Sequence, residues 1–303
     1  MRNKHPIIST IILTWNSQAF IEDCINSVIQ SSLKSEIIVI DNNSSDNTRT
    51  LVKSKFQNIE LVNTGSNLGY AAGNNVGVRK VIDQQNSDYI FILNPDAILD
   101  VKCLEELVKV ALASPSSAIL SPKIKYIDGN ALWYAGAYID WSTGESPHRG
   151  QGEIDSRQYE QIQPVSRASG CAMLISIDAI KKVGLMDESF FLYYEETDWS
   201  VSFSDMKYEI TYVPKAICRH AVSASTGGFF TPNYQYYVTR NSLLFLHKHK
   251  NHVNKFYLLR HFIASLKKIV MILRSPAPAK IMIVFAILKG YVDYAFKKFG
   301  QRV

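Results

Sequence analysis

Residues 36–46, EIIVIDNNSSD, carry an apolar, β-branched segment directly into a cluster of acidic and helix-breaking residues. Residues 89–96, YIFILNPD, repeat this pattern. Apolar runs of this kind are typical of buried strands in a parallel sheet, and here polar residues follow each strand at its carboxyl end. Because ligands of open α/β sheets bind beyond the carboxyl ends of the strands, we expect both clusters to line one pocket.

Strands and helices alternate along the first part of the chain. The predicted strands cover residues 7–14, 36–40, 59–63 and 88–93, and the predicted helices cover 17–31, 47–56, 71–81 and 101–113. This alternation predicts an α/β fold with a mainly parallel central sheet and helices on both of its faces. From Pro115 onward it gives way to shorter strands, turns and aromatic residues, some expected to pack and others to stack on sugar rings.

Two carboxylates at the predicted strand ends suggest different tasks. A carboxylate repels a bare phosphate, so Asp41 is better suited to accept hydrogen bonds from a nucleobase or a ribose. Asp96 is suited to hold a hard divalent cation, which in turn holds a diphosphate. The pair therefore predicts a nucleotide-sugar site.

A turn of small residues, NLGYAAGNN, occupies positions 67–75 between the two acidic clusters. A glycine-rich turn that enters a helix lets the backbone approach a ligand and aims free N–H groups at it. The alternative is a tight connection only, because the segment lacks the spacing of a Walker loop or a dinucleotide fingerprint. Its position between the acidic clusters favours the ligand-binding interpretation.

A third polar cluster lies in residues 190–199, FFLYYEETDW. Glu195, Glu196 and Asp198 would repel one another within one helical turn unless cations or protons intervene. A solvated first turn of a helix is one explanation, since acidic residues favour that position. The preceding apolar residues favour the wall of a pocket instead. Further on, His220 follows an apolar stretch and offers an imidazole that could complete a metal shell.

Taken in order, these motifs resemble the family 2 glycosyltransferases, most closely the bacterial rhamnosyltransferase-like branch that builds surface polysaccharides. The similarity extends over about residues 6–245. Its motifs are TWN (14–16), DNNSSD (41–46), NLG (67–69), GNN (73–75), NPD (94–96), EETDW (195–199), His220 and RN (240–241). It implies a GT-A fold, a UDP- or dTDP-sugar donor, a Mg²⁺ or Mn²⁺ ion, and single-displacement transfer with inversion at the anomeric carbon.

The resemblance also implies roles for individual residues. Asp41 would contact the base, and Asp96 the metal, with His220 as a further metal or diphosphate contact. Glu196 would be the general base, although much of the family has an aspartate there, so Glu195 stays open as the base. The implied donor-binding residues are Thr14, Asn16, Asp41, Asn43, Asn67, Gly69, Asn74, Asn94, Asp96 and Arg240, and the implied catalytic residues are Glu196, Glu195 and Asp198.

Asn94 marks a departure from the family's pattern. It stands where much of the family has the first aspartate of an Asp-x-Asp motif, which removes one negative charge. Direct ligation of a metal by Asn94 is therefore not expected.

The basic residues are concentrated at the carboxyl-terminal end of the chain. Residues 240–303 carry thirteen Lys and Arg side chains against one acidic residue, whereas residues 1–239 carry twenty basic and twenty-six acidic side chains. This asymmetry predicts a catalytic domain over residues 1–240 and a basic, amphipathic, helical region over 241–303.

Apolar side chains alternate with these basic ones at helical spacing. Such helices usually lie on an anionic membrane surface, and the alternative is packing on the protein's own catalytic domain. Residues 275–278, SPAP, are expected to break the helix, and the uncharged run 281–288 is too short to cross a bilayer. We expect a peripheral protein on the inner face of the cell membrane that acts on a glycan or polyprenyl-linked acceptor, does not bind nucleic acid and is able to form oligomers.

The amino-terminal residues contain no small-residue cleavage site of a secretion signal. The four cysteines have no paired spacing, which is typical of free thiols in a reducing cytoplasm.

Two other functions remain to be distinguished, a sugar-phosphate nucleotidyltransferase and an inactive carbohydrate- or nucleotide-binding scaffold. The first strand lacks the basic, glycine-rich signature of a nucleotidyltransferase.

Overall fold

A mixed β-sheet flanked by helices forms the centre of the computed structural model, which describes residues 6–222, 230–276 and 279–302. The strands are β1 (Ile8–Thr14), β2 (Glu36–Asp41), β3 (Glu60–Asn63), β4 (Tyr89–Leu93), β5 (Ala97–Leu99), β6 (Ser117–Tyr126), β7 (Leu132–Tyr134), β8 (Gln163–Pro164), β9 (Ala172–Ser176) and β10 (Glu209–His220). The helices are α1 (Ile21–Ile29), α2 (Thr48–Lys55), α3 (Gly69–Gln84), α4 (Cys103–Ala113), α5 (Ile177–Val183), α6 (Glu195–Asp205), α7 (Pro232–Lys248), α8 (Tyr257–Arg274) and α9 (Lys280–Ala295).

The amino-terminal half of the sheet is parallel, in the order β3-β2-β1-β4. Strands β1, β2 and β4 are buried on both faces, which explains their nearly continuous apolar sequences. Thr14 pairs with Asp41 in register, and Ile12 pairs with Leu93. The polar residues that follow β1, β2 and β4 therefore emerge side by side at the carboxyl ends of the strands. The α/β class and this placement of the acidic clusters are as predicted.

The second half of the sheet is mixed rather than parallel. Strand β9 runs antiparallel to its neighbours β4 and β6, β10 runs parallel to β6, and the short β5 pairs antiparallel with β10. A reversal directly after β4 produces β5, since the Ala97 amide donates to the Asn94 carbonyl at 3.2 Å. Because His220 pairs in register with Ala97, β10 ends beside Asp96.

Most predicted elements are present, with shifted ends. The helix predicted over residues 17–31 covers only Ile21–Ile29, because Ser17 and Gln18 are held by hydrogen bonds from their amides to Thr48 and Asp46. The region after β6 consists of short strands, bridges and turns, as expected from its sequence. Residues 1–5, on which the expectation about a secretion signal rests, lie outside the described residues.

The carboxyl-terminal helices pack on the catalytic part of the chain. The predicted boundary at residues 240/241 falls inside α7, which runs without a break from Pro232 to Lys248. Phe245 of α7 is buried with Phe190 and Val201, and Tyr236 of α7 is buried with Ala286 of α9. Helix α8 ends at Arg274, and α9 starts at Lys280, so the predicted helix break is present, although Ala277 and Pro278 lie outside the described residues.

Helices α8 and α9 also expose an apolar face. Its side chains are Phe256, Leu258, Leu259, Phe262, Ile263, Leu266, Val270, Met271 and Leu273 on and before α8, and Ile281, Met282, Phe285, Leu288, Val292 and Phe296 on and after α9. The same region exposes the basic side chains of Arg260, Lys267, Arg274, Lys297 and Lys298. Among the described residues, no helix is both long enough and apolar enough to cross a membrane.

Gly69, at the start of α3, lies against the segment that precedes α6. Its φ is +81°, and a Cβ added there would collide with the Phe191 carbonyl oxygen. We expect Gly69→Ala to lower the free energy of unfolding by about 2 kcal/mol, measured by urea denaturation. Gly65→Ala is the matched control, because Gly65 has a φ of +78° but no atom within 4 Å of the added Cβ.

The control isolates the cost of the backbone conformation, about 1 kcal/mol, from the cost of the collision. Equal losses in the two variants would show that the contact between Gly69 and Phe191 does not constrain the fold.

Candidate active site

The carboxyl ends of β1 and β2 bring Thr14 and Asp41 side by side. Both are fully buried. Asp41 accepts hydrogen bonds from the Ser44 amide at 3.2 Å and from the Asn63 Nδ2 atom at 2.8 Å. In this arrangement Asp41 holds the loop after β2, and its side chain is closed off from solvent.

Asn16 and Asn43 are the exposed donor-binding candidates at this position. Both have positive φ angles, 51° and 64°, which asparagine tolerates better than most residues. Asn16 Oδ1 accepts from the Ser45 amide at 2.8 Å and so ties the end of β1 to the loop after β2. The two asparagines therefore present polar side chains beside the buried Asp41.

The turn at the start of α3 does not offer the free N–H groups that its sequence predicts. The amide of Leu68 donates to Asn42, and the amide of Gly69 donates to Asn67, at 3.0 and 2.9 Å. The amide of Tyr70 donates to the Phe191 carbonyl at 2.8 Å. This interpretation was wrong for these three amides because the protein itself occupies them.

Asn74 lies one turn further along α3 and is fully buried. Its Nδ2 atom donates to the Tyr70 carbonyl at 3.0 Å, and its Oδ1 atom is buried without a hydrogen-bond partner among the described residues. The Thr14 hydroxyl is buried in the same unpaired state. Buried polar atoms are normally paired, so these two mark a region built for more than packing.

Asp96 and His220 form the pair that the sequence suggested for a metal. Asp96 Oδ1 lies 3.0 Å from His220 Nε2, and both residues are buried. His220 Nδ1 has no partner among the described residues, and the ring of Trp133 meets the His220 ring edge-on with centroids 4.6 Å apart. Asn94, two residues before Asp96, is half-buried, and its amide donates to the Cys171 carbonyl at 2.8 Å.

These residues fit a divalent cation that is shared with a diphosphate. No group of three or more His, Cys, Asp or Glu side chains suited to a metal occurs in the described part of the chain. Mg²⁺ commonly takes one or two carboxylates and completes its shell with phosphate oxygens and water. Asp96 supplies one such carboxylate, and the His220 nitrogen would be an additional ligand outside this set of oxygens.

The three acidic side chains at the start of α6 lie in three different environments. Glu195 is 4% exposed, and burial, followed by the charge of Glu196, raises its pKa well above the usual value. Glu196 is half-buried and therefore accessible. Asp198 is buried, with one oxygen 2.9 Å from His249 Nε2 and the other 2.8 Å from Lys248 Nζ. Only Glu196 combines access to solvent with a free carboxylate edge.

Arg167 was not singled out from the sequence, yet it holds Glu196. Its Nη1 atom lies 3.2 Å from Glu196 Oε1. The guanidinium is itself buried and donates to the Ser146 hydroxyl at 2.9 Å and to the Ser146 carbonyl at 2.7 Å. A single charge within the small, apolar run 165–174, VSRASGCAML, was the signal available in the sequence.

Residues 170 and 171 join the two halves of the site. The Cys171 carbonyl accepts from Asn94, whereas a Cβ added to Gly170 would lie 2.9 Å from the Tyr70 hydroxyl and 3.5 Å from the Cγ of Glu196. The short loop before β9 therefore lies between the Asp96–His220 pair and Glu196. The structure brings the second and third acidic clusters together in this way.

Arg240 is not among the residues brought to this site. It is fully buried, donates to the Gly300 carbonyl at 2.7 Å and lies over the rings of Tyr236 and Tyr237. Its Nε atom also donates to Asn241 Oδ1 at 2.9 Å, and Asn241 Nδ2 donates to the carbonyls that precede α6. The expectation that Arg240 contacts the donor is replaced by a positioning role, because the side chain is sealed between α7 and the carboxyl-terminal segment.

Asp198 likewise has both oxygens occupied by the end of α7. These ion pairs fix α6 against α7 and leave the carboxylate without access to a substrate. Its contacts make Asp198 a positioning residue.

Comparison with known proteins gives one family and several relatives. The model of glycosyl transferase family 2 matches residues 9–184, more than half of the chain. The chain is 30% identical over 195 residues to the low-salt glycan biosynthesis hexosyltransferase Agl10 of Haloferax volcanii, covering 63% of this chain and 60% of the relative. It is 26% identical over 209 residues to the N-acetylglucosaminyl-diphospho-decaprenol L-rhamnosyltransferase of Mycobacterium tuberculosis, covering 63% of this chain and 68% of the relative.

The fold also matches solved structures. The mannosyltransferase PcManGT of Pyrobaculum calidifontis, in complex with GDP-Man and Mn²⁺, superimposes with a TM-score of 0.60 and 14% identity, over 98% of this chain and 89% of that one. This likeness establishes the GT-A type of fold. The chain spans about three fifths of the length of the Haloferax relative, as its 60% coverage shows.

The raised pKa of Glu195 makes stability depend on pH. A carboxyl group whose pKa is higher in the fold than in the unfolded chain, near 4.5, stabilises the fold below that value. This contribution is lost as pH rises toward the pKa of the folded state. We therefore expect Glu195→Gln to gain stability relative to the wild type between pH 5 and pH 8, measured by urea denaturation at both pH values.

The control is Glu36→Gln, which removes one negative charge from an exposed position. If the stability gain of Glu195→Gln over the wild type became smaller as the pH rises, the raised pKa of Glu195 would be contradicted.

Proposed function

The chain belongs to glycosyl transferase family 2, and from that membership we propose that it transfers a hexose, rhamnose or another, from a UDP- or dTDP-sugar to a hydroxyl group of a glycan. The observation that carries the proposal is the pairing of the accessible Glu196 with Arg167, close to the Asp96–His220 pair. The Glu196 carboxylate can accept a proton, and the Asp96–His220 pair can hold a diphosphate through a cation. Transfer with inversion needs both, placed on opposite sides of the anomeric carbon.

The donor nucleotide is proposed to lie along the carboxyl ends of β1 and β2. The exposed asparagines Asn16 and Asn43 lie there, together with the buried Asp41 and Thr14. Asn67 and Gly69 act indirectly, since Asn67 accepts from the Gly69 amide and shapes the start of α3. We retain Asn74 and Asn94 as donor contacts because Asn74 Oδ1 is buried without a partner among the described residues and Asn94 is half-buried beside Asp96.

Asp96 and His220 would hold the cation, Mg²⁺ or Mn²⁺. When bound, such an ion neutralises charge that develops on the diphosphate as it leaves. Asn94 is placed to contact the donor but supplies no charge. The protein's own contribution is to keep the two ligands rigid, which it does through the pairing of β5 with β10.

Glu196 is proposed as the general base. It takes the proton of the acceptor hydroxyl while that oxygen forms its bond to the anomeric carbon, and the bond from this carbon to the diphosphate oxygen breaks. A base in this role contributes about 10²- to 10⁴-fold to the rate. Arg167 orients the carboxylate, and the buried, neutral Glu195 cannot reach an acceptor.

We expect the wild type to release nucleoside diphosphate slowly from its preferred donor among UDP- and dTDP-sugars, and to lose this activity in a chelator. Glu196→Gln should keep its affinity for the donor but lose at least about 10²-fold in transfer rate, because the lost interaction acts mainly in the transition state. Donor binding is measured by calorimetry, and turnover by nucleoside diphosphate release.

Glu195→Gln is the matched control and should retain most of the activity. A reversed order of severity would make Glu195 the base. Binding without turnover would indicate an inactive scaffold, and release of pyrophosphate from nucleoside triphosphates would indicate a nucleotidyltransferase.

The acceptor is proposed to be lipid-linked, with the enzyme held on the cytoplasmic face of an anionic membrane. The apolar face of α8 and α9 and the basic side chains around it support this proposal. The name of the mycobacterial relative, which specifies a decaprenol-linked acceptor, agrees with it. Each basic side chain near such a surface adds about 1 kcal/mol to the attraction.

We expect the protein to sediment with vesicles that contain anionic phospholipid at low salt, and to be partly released at high salt, because charge attraction is screened beyond about 10 Å at 0.1 M. The double variant Phe262→Ser, Phe285→Ser should reduce the partition coefficient at least about tenfold, since each buried phenylalanine contributes roughly 1.5–3 kcal/mol. Both side chains are exposed, on α8 and α9.

The matched control is Leu112→Ser, Ile154→Ser, which removes two exposed apolar side chains outside α8 and α9. Equal loss of binding in both double variants, or no binding of the wild type at low salt, would remove the membrane assignment.

A further inference from the structure

His148, in the loop after β7, has a tautomer fixed by the fold. Its Nδ1 atom lies 3.0 Å from the Trp133 carbonyl oxygen. A carbonyl oxygen only accepts hydrogen bonds, so Nδ1 carries the proton in the neutral ring, and Nε2 carries the lone pair. Nε2 has no hydrogen-bond partner among the residues that the structure describes, and the side chain is half-buried.

Trp133 connects His148 to the proposed diphosphate end of the site. The Trp133 ring meets the His148 ring edge-on at 4.3 Å between centroids, and it meets the His220 ring at 4.6 Å. Trp133 is itself half-buried. The Trp133–His148 ring pair is therefore adjacent to the Asp96–His220 pair.

Arg167 connects His148 to the opposite, base end of the site. The guanidinium that pairs with Glu196 is held by Ser146, two residues before His148. The Tyr134 ring, which contacts His148 at 5.2 Å, also places its hydroxyl 2.8 Å from the Arg167 carbonyl. His148 is thus linked through Trp133 to the proposed diphosphate end and through Tyr134 and Ser146 to the residue that pairs with the proposed base. The transferred sugar has to lie between these two ends during a single displacement.

The neutral state of His148 is supported by its surroundings. Burial, followed by the charge of Arg167, holds its pKa well below the usual value. An unprotonated Nε2 cannot donate a hydrogen bond to a phosphate oxygen. It can accept one from a hydroxyl group, and sugars carry such groups around the ring.

We propose that His148 is a specificity-determining residue, which accepts a hydrogen bond through Nε2 from a hydroxyl group of the transferred sugar while Trp133 holds the imidazole in place. The inference rests on the proposed glycosyl transfer and names the subsite for the sugar part of the donor. No group on the nucleotide or on the acceptor is assigned to His148.

The test compares His148→Ala and His148→Gln with the wild type, using the preferred UDP- or dTDP-sugar and its 2-, 3- and 4-deoxy counterparts. His148→Ala should lower kcat/KM for the preferred donor about tenfold. The amide oxygen of His148→Gln can replace Nε2 as an acceptor and should recover most of this loss. For the deoxy donor that lacks the paired hydroxyl, the wild type and His148→Ala should have equal kcat/KM values.

Affinity for the bare nucleoside diphosphate, measured by calorimetry, should be unchanged in both variants. His252→Ala is the matched control, because that histidine is more exposed and pairs with Asp205 at 2.9 Å. Melting temperatures confirm that each variant folds.

Three results would overturn the inference while leaving glycosyl transfer intact: an unchanged kcat/KM in folded His148→Ala, an equal loss for every deoxy donor, or a change in acceptor KM alone. A wild type that neither binds nor turns over any nucleotide sugar would overturn both the proposed function and this inference.

Discussion

Tyr193 and Tyr194 are held in the left-handed region, with φ angles of 68° and 76°, and the orientation of the proposed base depends on this turn. An L-residue in a sparsely populated backbone region costs about 1–3 kcal/mol, so neighbouring elements have to fix it. Asn241 of α7 donates to the carbonyls of Leu192 and Tyr193 at 2.9 Å each, and the Tyr194 hydroxyl donates to the Gly144 carbonyl at 3.0 Å. The turn lets α6 begin directly at Glu195.

The carboxyl-terminal helices therefore pack against the segment that positions α6. Helix α7 supplies Asn241 at its centre, and Lys248 with His249 at its end, which pair with Asp198 of α6. Helix α9 packs on the same α7 through Ala286 and Tyr236. The exposed apolar face of α8 and α9 is thus one packing layer away from the helix that carries Glu196.

The distribution of charge explains how adjacent acidic residues share one turn of helix. Full ionisation of Glu195, Glu196 and Asp198 would be repulsive. Burial raises the pKa of Glu195, the Lys248 ammonium and the His249 ring each contact one oxygen of Asp198, and Arg167 faces Glu196. Burial and partners from two other parts of the chain thereby leave Glu196 as the accessible carboxylate of the three.

The sequence by itself determined the α/β class, the strand ends that carry Asp41 and Asp96, and the acidic start of α6, because apolar periodicity and strand-end polar residues are local signals. The resemblance to a family favoured Glu196 over Glu195 as the base, and the structure adds a difference between them that the sequence does not contain, since Glu195 is buried and Glu196 is half-buried. Long-range pairing decided the rest. The antiparallel β9 and β5, the contact of Arg167 with Glu196, and the burial of Arg240 away from the donor site join residues that are far apart in the chain, and no local pattern encodes which of them meet.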